Sequence, residues 1–263
     1  MIKPIESMNK AFDITGKNVV VTGGSRGLGA AISLAMAEAG ANIAVISSKS
    51  KSEETLEKLA SYGGKYKGYT GNVADLTDIR KTITNIHEDF GDIDVLVNNA
   101  GISCVNELLD MDEELSDWYE VTGVDLNGTV NTTYCVGKLM RDAGKGGAII
   151  NISSMAGTTI VRTQAMSPYS CSKAAVNQFT RSMASEMGKF DIRVNAIAPG
   201  FFNTDLSHFI PDNELAYITG QQPLSRFGEP VEIGAMAVYL ASPAAAHVTG
   251  AIFTIDGGYS LTS

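Results

Sequence analysis

The chain has 263 residues, of which 44% are hydrophobic and 19% are charged, a composition typical of globular proteins and not of disordered ones. This length fits one large α/β domain, since open sheets of this class exceed about 200 residues without dividing. The formal net charge of -9 opposes the phosphates of nucleic acids and of anionic membranes. We therefore expect a small-molecule ligand, and neither a nucleic-acid nor a membrane partner.

Cysteine and histidine patterns argue against two further kinds of site. The three cysteines, Cys104, Cys135 and Cys171, are odd in number and have no C-x-x-C spacing, which favours free thiols in a reducing compartment. The three histidines lie apart from one another and from the cysteines, so we predict no catalytic metal. The first residues lack an apolar signal core and no apolar run approaches about 18 residues, so a cytoplasmic protein is expected.

Strand and helix patterns alternate along the chain. Short apolar or β-branched runs predict seven buried strands, at residues 18–22, 43–46, 66–69, 95–97, 148–152, 193–197 and 252–255. Helical spacing predicts helices at residues 28–39, with Gly40 as the C-cap, and at 53–62, 76–90, 117–141, 169–187 and 231–240. Strands that are apolar on both faces and separated by helices form a parallel sheet that is covered on both sides. The prediction is an α/β fold, a single-domain doubly wound Rossmann fold with a seven-stranded parallel sheet flanked by helices, over residues 1–263.

One long stretch, residues 200–226, shows no clear periodicity. Connections longer than about 15 residues inside a compact domain are usually functional. We predict that this segment is a substrate-binding lid. No repeat, low-complexity tract or Pro/Gly-rich linker indicates a second domain.

A glycine-rich turn follows the first predicted strand. Residues 22–29 read Thr-Gly-Gly-Ser-Arg-Gly-Leu-Gly and lead into the first helix. Glycines in this position let the backbone approach a pyrophosphate at the helix N-terminus, although a tight turn without a ligand has the same local pattern. The residues predicted to bind cofactor here are Gly23, Ser25, Arg26, Gly27, Leu28 and Gly29.

The end of the second strand bears on the choice of dinucleotide. An acidic residue there would bind the ribose 2′-hydroxyl, but the position is held by Ser47. Ser48 and Lys49 follow it, and Arg26 lies in the glycine turn. Hydroxyls and cations suit a 2′-phosphate. We therefore predict NADP(H), with NAD(H) bound through Ser47 alone as the alternative.

Tyr169 and Lys173 are spaced by four residues, which places both on one face of a helix. An ammonium about 4 Å away, at an effective dielectric near 20, is worth about 4 kcal/mol. That would lower the pKa of a phenol from about 10 to about 7, so that Tyr169 could exchange a proton at neutral pH. The same spacing occurs on ordinary amphipathic helices, and neighbouring motifs must decide.

Two strand ends supply that context, because ligands of open parallel sheets bind beyond the carboxyl ends of the strands. The strand at 148–152 ends at Ser153 and Ser154, and the Ser154 hydroxyl would orient a substrate carbonyl. The strand at 95–97 runs into Asn-Asn-Ala-Gly at residues 98–101, where small residues leave room for a cofactor. Asn98 and Asn99 also suit turn capping, and both roles can coexist.

Together these motifs resemble the short-chain dehydrogenase/reductase family, with its T-G-x-x-x-G-x-G turn, N-N-A-G strand end, serine, Y-x-x-x-K and P-G turn, over about residues 12–259. The resemblance implies that Ser154 polarises a carbonyl, that Tyr169 is the general acid or base, and that Lys173 lowers the pKa of the tyrosine and holds the nicotinamide ribose. It also implies cofactor contacts at Asn72, Val73, Asn99, Ala100, Gly101, Pro199, Gly200, Phe202 and Thr204.

Two positions depart from the family pattern. Asp125 stands where V-N-L-x-G has an asparagine that helps to hold a water leading to the lysine. We expect Asp125 to be a fourth catalytic residue, which either keeps this relay or reroutes it. Asn72-Val73 replaces an Asp-Val pair beside the adenine, where an asparagine can still donate and accept hydrogen bonds.

Asp125 and two extra residues between Ser154 and Tyr169 look most similar to ketose reductases and polyol dehydrogenases, including NADP-dependent mannitol dehydrogenases and sorbose reductases. The polar loop residues Thr158, Thr159, Arg162, Thr163 and Gln164 suit a hydroxylated substrate. The expected reaction is reversible hydride transfer between NADP(H) and a ketose or similar polar ketone.

Two alternatives remain. A 3-oxoacyl-thioester (acyl carrier protein) reductase would share the catalytic residues, but residues 200–220 contain no Lys or Arg to meet an acidic carrier. An inactive dinucleotide-binding sensor would have little reason to keep the catalytic residues. The resemblance further implies a homotetramer, or a homodimer, packed through the helices after the fourth and fifth strands. These helices carry Val130, Cys135, Val176, Phe179 and Met183, which also suit a core.

Overall fold

The computed structural model describes residues 7–48, 52–161, 164–204 and 212–262. Its seven strands form one parallel sheet in the order β3-β2-β1-β4-β5-β6-β7. The strands are β1 (Asn18–Thr22), β2 (Asn42–Ser47), β3 (Tyr66–Thr70), β4 (Val95–Asn98), β5 (Gly147–Ile152), β6 (Ile192–Pro199) and β7 (Ile252–Ile255). The strand order reverses between β1 and β4, which makes the fold doubly wound. The predicted fold class and all seven strands are confirmed.

Nine α-helices lie in the described ranges, and most match the predicted segments. They are α1 (Met8–Ala11), α2 (Gly27–Glu38), α3 (Glu53–Leu59), α4 (Leu76–Phe90), α5 (Ser116–Thr122), α6 (Gly128–Ala143), α7 (Ser167–Met187), α8 (Asp212–Gly220) and α9 (Pro230–Ala241). The helix predicted to reach residue 62 ends at Leu59 and continues as a 3₁₀ turn, Ala60–Tyr62. The helix predicted over 117–141 is interrupted by a π-helical turn, Gly123–Asn127, between α5 and α6.

Alternation along the strands divides the core between the two faces of the sheet. In β1, Val19 and Val21 pack with residues of α2 and α9, whereas Val20 packs with residues of α4 and α6. Successive strand side chains point to opposite faces, so a run of three valines serves both layers. This explains why the strands read as continuous apolar runs.

The prediction that residues 200–226 are irregular is wrong in part. The segment contains α8, and Phe202 forms a parallel bridge with Gly228, just beyond the segment. At the end of the segment Arg226 forms a bidentate ion pair with Glu232 of α9, with N···O distances of 3.0 and 2.7 Å. Residues 205–211 lie outside the described part of the chain. Of the helices in the described part, none has the length and apolar character needed to cross a membrane.

Candidate active site

The glycine turn after β1 is packed too tightly to hold side chains at two positions. At Gly29 a Cβ atom would lie 2.2 Å from the carbonyl oxygen of Gly23 and 2.4 Å from Nδ2 of Asn99. Gly23 has a φ of 63°, and its Cβ would lie 2.9 Å from the Cα of Ala100. At Gly27, whose φ is 55°, nothing lies within 4 Å of the Cβ position. The glycine turn thus packs closely against the end of β4, whereas free space surrounds Gly27.

The open side of this turn is the N-terminus of α2. Arg26 precedes the helix in an extended conformation, and no side chain caps it. The first amide groups of a helix have no intrahelical acceptor, and they attract anions. Ser25 is held in place because its carbonyl oxygen accepts a hydrogen bond of 2.9 Å from Thr55 of α3, while Leu28 packs against the main core. These residues fit a bound pyrophosphate.

Thr22 and Asn99 tie the glycine turn to the end of β4. The Thr22 hydroxyl oxygen accepts hydrogen bonds from the backbone N–H groups of Asn99 and Ala100, both at 3.0 Å. The Asn99 amide donates in turn to the carbonyl oxygens of Thr22 and Gly23, also at 3.0 Å. Asn99 therefore caps the turn, which is one of the two roles that its position in the sequence predicts. The part played by the Thr22 side chain was not predicted.

The end of β2 lies beside the glycine turn, because the Gly23 N–H donates to the Ile46 carbonyl oxygen at 2.8 Å. Ser47 follows and is 7% exposed, with its hydroxyl 3.5 Å from that of Ser52. Ser48 is exposed, and Lys49 lies outside the described residues. A buried serine, and not a carboxylate, thus stands at the end of β2.

Asn72 and Val73 follow β3 in a turn. The side-chain oxygen of Asn72 accepts from the Ala74 N–H at 3.0 Å, so it is engaged within the turn. Val73 is buried against α6, where Gly128 leaves it space and Asn131 donates to its carbonyl oxygen at 3.0 Å.

The predicted acid–base pair lies at the start of α7. The Lys173 ammonium is 5.3 Å from the centre of the Tyr169 ring. It donates to the Ile152 carbonyl oxygen at the end of β5 at 3.1 Å, and it forms an ion pair of 3.0 Å with Asp125. Burial by itself lowers the pKa of Lys173, but the charges of Asp125 and then Tyr169 outweigh it, and the net pKa is raised above its ordinary value. Lys173 therefore stays charged although it is buried.

Asp125 lies in the π-helical turn and is fully buried. One carboxylate oxygen, Oδ1, accepts from the Ile102 N–H at 2.8 Å, and the other, Oδ2, faces Lys173. A Cβ atom at Gly101 would lie 3.2 Å from Oδ2 and 3.3 Å from the lysine nitrogen, so a small residue there gives the ion pair its room. Single π turns inside helices are frequent at functional sites.

Ser154 follows the end of β5 and is buried. Its hydroxyl oxygen accepts from the Ala156 N–H at 3.1 Å. The 3₁₀ turn that follows packs directly on α7, because a Cβ at Gly157 would lie 2.7 Å from the carbonyl carbon of Lys173. The Ser153 hydroxyl also donates to the Lys173 carbonyl oxygen at 3.1 Å. The segment around Ser154 thus packs on the turn of α7 that carries Lys173.

A row of buried hydrogen bonds beneath the site was not predicted. Asn98 in β4 donates to the hydroxyl of Thr133 and to the side-chain oxygen of Asn151 in β5, both at 2.9 Å. Asn151 donates to the Thr180 hydroxyl of α7, also at 2.9 Å. The row fixes α7 against the two central strands. An asparagine within an otherwise apolar strand was the signal that could have revealed it.

The end of β6 leads into the predicted lid segment near the 3₁₀ turn Met155–Gly157. Gly200 lets the chain pass close to β7, since a Cβ there would lie 2.6 Å from the Cβ of Asp256 and 3.2 Å from the Met155 sulfur. The Phe202 side chain, by contrast, is buried in the main core, so any contact with a cofactor would come from its backbone. Thr204 is the last described residue before the gap at 205–211.

The surroundings of Tyr169 are more apolar than the loop composition suggested. Tyr169 packs against a small cluster that is separate from the two layers of the main core. Its members are Met155, Ala156, Val161, Met166, Phe201, Ile218, Phe227 and Tyr259. Arg162 and Thr163, two of the polar loop residues, lie outside the described part of the chain.

A family model described as enoyl-(acyl carrier protein) reductase matches residues 22–260, which span the glycine turn, both strand ends and Tyr169–Lys173. The chain belongs to the short-chain dehydrogenase/reductase family. The family resemblance inferred from the motifs is confirmed. Family membership alone does not fix the substrate, because similar members carry different activities in their names.

Three relatives within the family illustrate this. Sorbose reductase SOU1 of Candida albicans is 37% identical over 251 residues, covering 95% of this chain and 89% of that protein. 3-Oxoacyl-[acyl-carrier-protein] reductase FabG of Staphylococcus aureus is 37% identical over 248 residues, covering 92% and 97%. NADP-dependent mannitol dehydrogenase of Hypocrea jecorina is 36% identical over 268 residues, covering 99% of each chain.

Solved structures of family members share the whole fold. A short-chain type dehydrogenase/reductase from Mycobacterium marinum is 36% identical, with a TM-score of 0.92 over 97% of this chain and 99% of that one. A gluconate 5-dehydrogenase from Burkholderia cenocepacia, in complex with NADP and tartrate, is 29% identical, with a TM-score of 0.91 over 98% and 100%.

Proposed function

We propose that this protein is an oxidoreductase that transfers a hydride between NADP(H) and the carbonyl carbon of a ketose or similar polar ketone. The observation that carries the proposal is the buried, charged Lys173 beside Tyr169, on a turn of α7 against which the segment around Ser154 packs. Relatives named for sorbose and mannitol support the substrate class. The name of the mannitol dehydrogenase and the bound NADP of a structural relative support the cofactor.

The chain offers a place for each part of the dinucleotide, which supplies the hydride when bound. The glycine turn and the N-terminus of α2 would hold the pyrophosphate. Arg26, Ser47, Ser48 and Lys49 would hold the 2′-phosphate, and Asn72-Val73 would lie beside the adenine. The ribose and nicotinamide would lie along Asn99, Ala100 and Gly101, near Tyr169, Lys173 and the start of the lid at Pro199, Gly200, Phe202 and Thr204.

The acid–base step belongs to Tyr169. In reduction its phenol would give a proton to the carbonyl oxygen as negative charge develops there. The Ser154 hydroxyl would stabilise the same oxygen. Because the Ser154 oxygen accepts the Ala156 N–H, its own proton remains for donation to a substrate. Lys173 would bind the ribose and keep positive charge beside the phenol.

Cofactor preference can be tested at the end of β2. Ser47→Asp places a carboxylate where the 2′-phosphate would lie, so we expect the kcat/KM ratio for NADPH over NADH to fall by about tenfold or more. Ser61→Asp adds the same charge at an exposed site on the 3₁₀ turn after α3 and should leave the ratio unchanged. An unaltered ratio in Ser47→Asp would place the 2′-phosphate elsewhere.

The acyl-carrier alternative is supported by the FabG relatives at a similar identity. An acidic carrier protein would need cations near the lid. Residues 200–220 contain none, and Arg226 is paired with Glu232. We therefore favour a free polar ketone over a carrier-bound thioester.

A substrate panel tests the proposal. Ketoses, simple ketones and an acetoacetyl thioester are each supplied with NADPH and then with NADH, and cofactor oxidation is followed by absorbance. We expect the highest kcat/KM with a ketose and NADPH. A thioester that exceeds every ketose would establish the alternative instead.

Two further proposals concern assembly and location. The family resemblance and the exposed Val130 and Tyr134 on α6 support a homotetramer, or a homodimer, packed through α5–α6 and α7. Cys135 and Val176 are core residues, so they would not contribute to that surface. Light scattering measures the assembly.

Three free cysteines support a reducing compartment such as the cytoplasm, which fractionation of the source cells tests.

A further inference from the structure

Asp125 and Lys173 form an enclosed ion pair. Their side chains are 0% and 5% exposed, and the two charged atoms are 3.0 Å apart. Water and salt screen such a pair far less than a surface pair. Surrounding groups therefore feel the positive charge of Lys173 partly offset by the carboxylate of Asp125.

Both ends of the ion pair are fixed by backbone groups. The carboxylate is held through Oδ1 by the Ile102 N–H at 2.8 Å. The ammonium is held by the Ile152 carbonyl oxygen at 3.1 Å, and the Tyr169 ring is its third neighbour. The charge of Asp125 is thus held next to the cation that acts on the phenol.

Other charged groups lie farther away or point elsewhere. Helix α5, which packs on α7, contributes Asp117 and Glu120, both of which reach solvent. Strand β6 contributes Arg193, which donates to carbonyl oxygens of residues 240 and 248. The π-helical turn contributes Asp125 itself, and the 3₁₀ turn Met155–Gly157 has no charged residue. Within the described ranges, Asp125 is the only carboxylate at ion-pair distance from Lys173.

We propose that Asp125 is a positioning residue that offsets the charge of Lys173 at Tyr169, so that the Tyr169–Lys173 pair keeps its proton to a higher pH than it would with an asparagine at position 125. This inference rests on the proposed function, in which that proton passes to the substrate oxygen. In that function a pair that holds its proton more firmly favours reduction of the ketone over oxidation of the alcohol.

The sign of the effect does not depend on which group of the pair loses its proton. Without the carboxylate, the isolated ammonium favours ionisation of the phenol, and it also gives up its own proton more easily because it is buried. When two ionisable groups interact strongly, the measured pKa values describe the pair and not either group alone. In either case the first proton leaves at a lower pH.

The direct test is Asp125→Asn, which keeps the shape of the side chain and an oxygen to accept the Ile102 N–H. The Tyr169 signal is followed by NMR of protein labelled with [¹³Cζ]tyrosine and assigned with Tyr169→Phe. We expect the midpoint of the first proton loss to fall by about one unit or more. The pH midpoint of kcat/KM for alcohol oxidation should shift in the same direction.

Asp142→Asn is the matched control, since it removes one carboxylate from an exposed position on α6, and its midpoint should equal that of the wild type. A midpoint in Asp125→Asn that lies within about 0.3 unit of the wild type, or above it, would overturn the inference. The NMR titration needs no turnover. A protein that is inactive on every substrate would refute the proposed function and still give this answer.

A second measurement covers the case in which Asp125→Asn does not fold. In wild-type protein labelled with [¹³Cε]lysine, the Lys173 signal is identified by its loss in Lys173→Met. It should keep its protonated position beyond the pH at which exposed lysines titrate. Proton loss from Lys173 before those lysines would contradict the inference.

Discussion

Replacing Tyr169 with phenylalanine is expected to lower kcat for ketone reduction by about a hundredfold to ten-thousandfold, the contribution of a positioned general acid. The ring would still pack against the cluster around Met155 and Phe201. Because only the hydroxyl is lost, the dissociation constant for NADPH should change by less than about twofold. Steady-state kinetics and a fluorescence titration with NADPH measure the two quantities separately.

The control for this variant is Tyr119→Phe. Tyr119 is a tyrosine on α5 with 66% exposure, and loss of its hydroxyl should leave kcat unchanged. Equal activity in Tyr169→Phe and Tyr119→Phe would show that the proton comes from another group. A large loss of NADPH binding in Tyr169→Phe would point to a role in binding and not in proton transfer.

The Gly29→Ala variant is expected to have the second large effect. The new methyl group would lie 2.2 Å from the Gly23 carbonyl oxygen and 2.4 Å from the Asn99 amide, so the glycine turn must move. Overpacking of this kind costs about 1–3 kcal/mol of the free energy of unfolding. Because the displaced backbone is the one that would bind the pyrophosphate, NADPH affinity should fall by about tenfold or more.

Gly188→Ala tests whether this effect is specific to the turn. Gly188 lies at the end of α7 with a helical φ of -56°, and nothing lies within 4 Å of its Cβ position. Chemical denaturation and NADPH titration should therefore give wild-type values. Wild-type values for Gly29→Ala as well would show that the glycine turn does not pack closely against the end of β4.

The strands and most helices could be predicted from sequence because their signals are local. The run Val19–Val21 is apolar at every position, and in the structure it serves both layers of the core. The π-helical turn at 123–127 could not be predicted, since its helical spacing differs from that of α5 and α6 by one residue in a single turn. The helix α8 was missed because its sequence lacks a clear apolar stripe.

The candidate site, like the fold, could be predicted only in part. Short motifs identified Tyr169, Lys173 and Ser154, because their spacing is fixed within one element or at one strand end. The contacts that hold them are not local: the Ile102 N–H meets Asp125 across 23 residues, and Asn98 meets Asn151 across 53. No pattern in a single sequence brings such residues together. The ion pair between Asp125 and Lys173 likewise became visible only in the folded chain.

The central claim, that the protein moves a hydride from NADPH to a ketone, is tested most directly by isotope transfer. NADPH that carries deuterium in both positions at C4 of the nicotinamide is incubated with the protein and a ketose, and the product is analysed by mass spectrometry. We predict one deuterium on the new alcohol carbon with wild-type protein and a large loss of labelled product with Tyr169→Phe. Binding of NADPH without transfer of deuterium to any ketose or ketone would contradict the claim and would indicate a dinucleotide-binding sensor.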